Sequence, residues 1–144
     1  MTAYGPFEWS DALLTGVAEI DKQHRILVGM LVEAQAKLTD DTSGRLLERI
    51  IRDLLAYAIY HFDTEQRLMR EYGYGTAEPG QAALHLAQHR LFSEQVVALR
   101  ADARTGEQGV RDALLRFLKD WLTDHILTTD KRLGQFILSR TQDP

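Results

Sequence analysis

Between Asp21 and Leu38 the apolar residues Ile26, Leu27, Met30, Leu31, Ala34 and Leu38 recur at three- and four-residue intervals, the period of a helix with one buried stripe. Asp21 suits the N-cap of that helix. From Ser43 to Tyr72 the same period runs through Leu46, Leu47, Ile50, Ile51, Leu54, Leu55, Ala58, Ile59, Phe62 and Met69. A helix of that extent is roughly 45 Å long. A third segment, Pro79 to Arg104, opens on a proline suited to a first helical turn and carries Leu84, Leu91, Phe92, Val96 and Leu99. A fourth starts near Glu107 and shows Val110, Leu114, Leu115, Phe117, Leu118, Trp121, Leu122, Ile126, Leu133, Phe136 and Ile137. It either runs through Gly134 or breaks there.

Glycine and proline gather between these segments, at Gly16, Ser43-Gly44, Gly73-Tyr74-Gly75 through Pro79-Gly80, and Gly106 with Gly109. No stretch alternates polar and apolar residues long enough to argue for strands. The pattern predicts an all-α fold, an up-down-up-down antiparallel four-helix bundle forming one domain over residues 1–144. Its helices fall at about 21–38, 43–72, 79–104 and 107–140. Residues 1–20, with Phe7, Trp9, Leu13 and Leu14, read as an irregular N-terminal arm packing aromatic side chains on the bundle. Bundles of this kind build metal sites between their helices.

Composition narrows the chemistry. At 144 residues and 44% hydrophobic content the chain can bury a continuous core without disulfides. Its 17 Lys and Arg are scattered among 21 Asp and Glu, so nucleic acid is an unfavourable partner. There is no cysteine, which removes thiolate nucleophiles, iron–sulfur clusters and Cys-type zinc sites. Any metal must use histidine and carboxylate. The first ten residues lack a signal-peptide pattern, and no segment reaches the ~20 apolar residues that span a bilayer. The expectation is a soluble, cytoplasmic protein without membrane insertion.

The five histidines are the candidate ligands. His61 and Glu65 stand four apart on the second helix, and His85 and His89 four apart on the third, so each pair projects from one face in adjacent turns. His24 shares the stripe of Ile20, Leu27, Leu31 and Leu38, which aims it into the core. His125 follows Leu118 and Trp121 on an apolar face, with Asp130 five residues on. On an ideal helix five residues put two side chains about 140° apart. Either the helix is distorted there, or the metals sit between the two directions.

A single histidine on an apolar face is ordinarily a hydrogen-bonded core residue. Burying five without metal imposes a desolvation cost that ordinary cores avoid. Imidazole and carboxylate suit iron, zinc, copper or manganese, so donor chemistry leaves the metal open. The count is more selective, because seven ligands exceed what one ion uses, whereas two six-coordinate ions offer about twelve positions. Two bridging carboxylates, five imidazoles and a bridging oxygen fill about eleven, leaving one for an exogenous ligand. Neither Glu-x-x-His nor His-Glu-x-x-His occurs, which separates the chain from carboxylate-bridged oxidases and zinc proteases.

Four motifs carry a resemblance: GVAEIDKQH ending at His24, HFDTE from His61 to Glu65, HLAQH from His85 to His89, and HILTTD from His125 to Asp130. In these the chain resembles the hemerythrin family, in particular its single-domain bacterial members, the bacteriohemerythrins. The resemblance implies two iron ions (Fe2+/Fe3+) with a bridging oxo or hydroxo group. His85, His89 and His125 would bind one iron, His24 and His61 the other, and Glu65 and Asp130 would bridge. It implies reversible dioxygen binding at the iron with two histidines, for carriage, storage or delivery. Oxygen or redox sensing, or peroxide and nitric oxide chemistry, is the alternative. No acid–base group beyond the ligands is evident, so the chain reads as a binder and not an enzyme, with no catalytic residues. Dioxygen is the expected partner, with docking to an oxygen-consuming enzyme as a macromolecular contact, or to a signalling partner under the sensing alternative.

Phe62, Trp121 and Ile126 are candidates for an apolar wall of the oxygen pocket. Two departures from the family pattern stand out. Gln66 follows the bridging glutamate where many relatives carry a second Glu. The connection from Glu65 to His85 is several residues longer than usual, with Tyr74-Gly75 where Tyr-Pro is common, and reads as an extended surface loop.

Overall fold

The computed structural model describes residues 9–38, 44–105 and 109–141. Phe7, Ser43 and Glu107, on which parts of the sequence reading fell, lie outside them. Among the described residues the structure is all-helical. Helix α1 spans Ala18–Lys37, α2 Gly44–Tyr72, and a single turn, α3, Tyr74–Ala77. Helix α4 spans Pro79–Arg104 and α5 Val110–Asp124. A π-helical segment, His125–Asp130, joins α5 to α6, Lys131–Thr141. Helix α1 packs on α2 and α5, α2 on α4, and α4 on α5, closing the antiparallel four-helix ring. No helix among the described residues is long and apolar enough to cross a membrane.

Several local expectations change. Helix α1 begins three residues before Asp21, with Val17 at its N-cap. The Asp21 carboxylate instead reaches back to the arm, accepting from Thr15 N at 2.7 Å, Thr15 Oγ1 at 2.8 Å and Gly16 N at 3.1 Å. These bonds tie the arm to the bundle, and Trp9 in the arm packs under the Arg25 guanidinium at 4.4 Å. The connection before α4 is not an extended loop. Gly73, in the left-handed region at φ 73°, ends α2, and the α3 turn drives Tyr74 into the core, leaving only 2% of its surface exposed. The fourth helix does not break at Gly134, which lies within α6. An added Cβ there would stand 2.7 Å from the Thr15 carbonyl oxygen, so glycine permits the arm to lie against α6.

Apolar side chains form two clusters separated along the bundle. The larger includes Leu27, Ala58, Phe62, Phe92, Leu122 and Ile126. The smaller includes Ile20, Leu68, Ala82, Leu133 and Ile137. On every helix the candidate ligands fall between a residue of one cluster and a residue of the other. His24 sits between Ile20 and Leu27, and His85 with His89 between Ala82 and Phe92. The polar residues therefore form one layer across the bundle, capped by hydrocarbon on both sides.

Candidate metal centre

All seven candidate ligands are buried, with His24, Glu65, His85 and Asp130 fully inaccessible. On α4 the inward stripe is Ala82, His85, His89, Phe92, Val96 and Ala103. Two histidines thus occupy positions that a binary pattern reserves for leucine, while Leu84 and Leu91 point outward and are about half exposed. On α2, His61 and Glu65 continue the stripe of Leu54 and Ala58.

The fourth helix solves its spacing problem by a change of winding. From His125 to Asp130 the backbone is π-helical, and the Lys131 N–H reaches the carbonyl of Ile126, five residues back. The wider π turn reduces the overshoot of five residues, which brings His125 and Asp130 to one face. Of the two readings the sequence allowed, a distorted helix is the one adopted.

Ligand atoms converge in two overlapping groups. One atom each from Glu65, His85, His89, His125 and Asp130 lie within 4.8 Å of one another, and so do atoms of His24, His61, Glu65 and Asp130. Glu65 and Asp130 belong to both. Asp130 Oδ1 lies 3.1 Å from His85 Nε2 and 3.0 Å from His125 Nε2, and its Oδ2 lies 2.8 Å from His24 Nε2. Glu65 Oε1 lies 3.2 Å from the Nε2 atoms of His61 and His89. Yet both oxygens of each carboxylate, and Nε2 of His24, His61 and His85, make no hydrogen bond among the described residues. Donors that approach this closely without bonding to one another are arranged for a shared third atom. Neighbouring ligands at right angles, about 2.1 Å from one ion, stand about 3.0 Å apart, the spacing found here. The donor set fits first-row metal ions.

Electrostatics point the same way. Burial disfavours every charged form. For His89 it prevails, with His85 and His125 adding repulsion, and the ring is pushed down to about 4. For His85 burial is outweighed by Asp130 and Glu65, which lift it to about 9, and His24 is raised with Asp130 as its main support. Burial and Asp130 push Glu65 upward, but His61 and His85 hold it below the ordinary carboxylate range. His125 and His24 overcome the burial of Asp130 in the same way. Both carboxylates stay ionised and stand ready for cations.

The surroundings contain residues that the sequence did not single out. Gln23 Oε1 is 2.7 Å from His61 Nδ1, and Gln88 Oε1 is 2.6 Å from His125 Nδ1. The only visible trace was a Gln-His dipeptide occurring twice, at Gln23-His24 and Gln88-His89. Phe62 stacks on His89 with ring centroids 3.9 Å apart, and Trp121 on His125 at 4.3 Å. Both aromatic rings therefore back histidines of the three-histidine group. Trp121, His125 and Gln88 also line a groove of about 580 Å³ between α4 and α5.

Residues 15–137 match the Hemerythrin HHE cation binding domain. A bacteriohemerythrin of Pseudomonas aeruginosa (strain LESB58) is 33% identical over 125 residues, which cover 85% of this chain and 75% of the relative. A bacteriohemerythrin of Stenotrophomonas maltophilia (strain R551-3) is 32% identical over 123 residues, covering 85% and 76%. The crystal structure of a wild-type hemerythrin superposes with a TM-score of 0.77 at 26% identity, covering 90% of this chain and 96% of that one.

Proposed function

Because the chain belongs to the hemerythrin HHE cation-binding family, we propose that it binds dioxygen reversibly at a non-haem di-iron centre, for oxygen carriage, storage or delivery. The observation that carries this reading is the sharing of Glu65 and Asp130 between two groups of histidines. His85, His89 and His125 would hold one iron and His24 with His61 the other, so the second is short of one protein ligand. When bound, the iron pair supplies the electrons that dioxygen takes up and returns.

The chain's own part is to hold and to exclude. Glu65 and Asp130 bring two negative charges that offset part of the charge of two cations. The apolar clusters keep bulk water from the layer, which favours release of a neutral gas over escape of a charged, reduced product. Among the described residues the layer holds no acid–base side chain beyond the ligands, which supports binding over catalysis. The test is metal analysis followed by anaerobic reduction and exposure to air. Two irons per chain and a spectrum that reverts on deoxygenation are expected, whereas one zinc per chain or immediate irreversible oxidation would overturn the reading.

A further inference from the structure

Gln23 and Gln88 each precede a candidate ligand in sequence and serve a different histidine in space. Gln23 on α1 meets His61 on α2, and Gln88 on α4 meets His125 in the π-helical segment. An amide oxygen only accepts, so each contact requires Nδ1 to carry the hydrogen and leaves the lone pair on Nε2, the atom facing the carboxylates. The amide of Gln23 is itself oriented. Thr64 Oγ1 donates to the Tyr60 carbonyl at 3.2 Å and accepts from Gln23 Nε2 at 3.0 Å, which turns Oε1 toward His61. Hydrogen bonds therefore run one way, from His61 through Gln23 and Thr64 to the backbone of α2. The Gln23, His61 and Thr64 side chains are all buried. Gln88 is fixed differently, its Oε1 also accepting from Thr129 Oγ1 at 2.7 Å.

We propose that Gln23 and Gln88 are positioning residues that fix the Nδ1–H tautomer of His61 and His125 and, as neutral acceptors, keep those imidazoles weak enough donors to favour the ferrous state. The inference rests on the di-iron reading above. A carboxylate at either position would pull harder on the Nδ1 hydrogen, make the ring a stronger donor and stabilise the higher oxidation state. Gln23 is the stronger lever, since His61 is one of two imidazoles in its group, whereas His125 is one of three.

Three variants of the full chain test it: Gln23→Glu, which keeps an acceptor and adds charge; Gln23→Leu, which removes the acceptor; and Thr64→Val, which frees the Gln23 amide. In the zinc-loaded protein, proton–nitrogen spectra should show His61 Nδ1 carrying a slowly exchanging hydrogen, lost in Gln23→Leu and exchanging faster in Thr64→Val. In the iron-loaded protein, Gln23→Glu should raise the ferric-to-ferrous preference at least tenfold, a potential about 59 mV more negative for one electron. Gln23→Leu should weaken iron binding by about 10–100-fold. A hydrogen on His61 Nε2 in the zinc-loaded wild type would overturn the proposal, as would equal potentials in wild type and Gln23→Glu with two irons retained in both. A wild-type chain that takes up no iron would instead overturn the di-iron reading, and the zinc-loaded spectra would still decide the role of Gln23.

Discussion

Asp130 comes five residues after His125, yet its Oδ1 lies 3.0 Å from His125 Nε2. The π-helical segment alone makes this meeting possible. Deleting Leu127, whose side chain is partly exposed, removes the extra residue and lets the stretch wind as an α-helix. In the shortened chain the histidine and aspartate stand four apart, the spacing at which His61 and Glu65 meet, so it should keep its helical circular dichroism and both irons. Loss of an iron from a folded variant would show that the site needs the π turn itself and not only a shared face.

His61→Ala removes one of the two imidazoles beside the proposed open position and strands the Gln23 amide. Oxygen binding should be lost while the three-histidine ion stays in place. Metal analysis and the oxy spectrum of the same preparation separate the two effects. Undiminished oxygen binding would assign the open position to the other group.

Trp121 stacks on His125 with planes 16° from parallel, and the chain has one other tryptophan, Trp9, in the arm. Iron added to the metal-free protein should quench tryptophan emission through Trp121. Trp121→Phe should abolish the response and Trp9→Phe should leave it intact. The reverse pattern would place the quenching ion elsewhere.

Gly134 distinguishes packing from propensity. In an open helix Gly→Ala stabilises by about 1 kcal/mol. Here the new methyl meets the backbone oxygen of Thr15, which Asp21 holds in place. Overpacking of this kind costs about 1–3 kcal/mol. Gly134→Ala should therefore lower stability in chemical denaturation, and a gain would mean the arm yields at no cost.

The four long helices were legible because their apolar residues keep helical spacing. The inward face of α4 was not, because His85 and His89 occupy it while hydropathy counts them as polar, so Leu84 and Leu91 drew attention to the wrong side. Asp21 read as a cap since aspartate favours caps, but its carboxylate serves a turn six residues upstream. The π segment left one trace, the misfit between His125 and Asp130 on an ideal helix. Gln23 and Gln88 left almost none, because a neutral amide beside a ligand gains meaning only when another helix brings a ring nitrogen to it. The seven candidate ligands were nameable from spacing and resemblance, and the structure brings all seven into one layer.

That layer, capped by hydrocarbon above and below, bears on time as much as on affinity. An ion seated there has no aqueous path along the bundle axis, and it is held from three helices of the ring. Its departure requires the helices to part, which is a local unfolding event and not the loss of one ligand after another. Exchange of a bound ion should then follow the protein's opening rate, with the steep temperature dependence of unfolding. A strong chelator would act as a clock for the motion of the bundle.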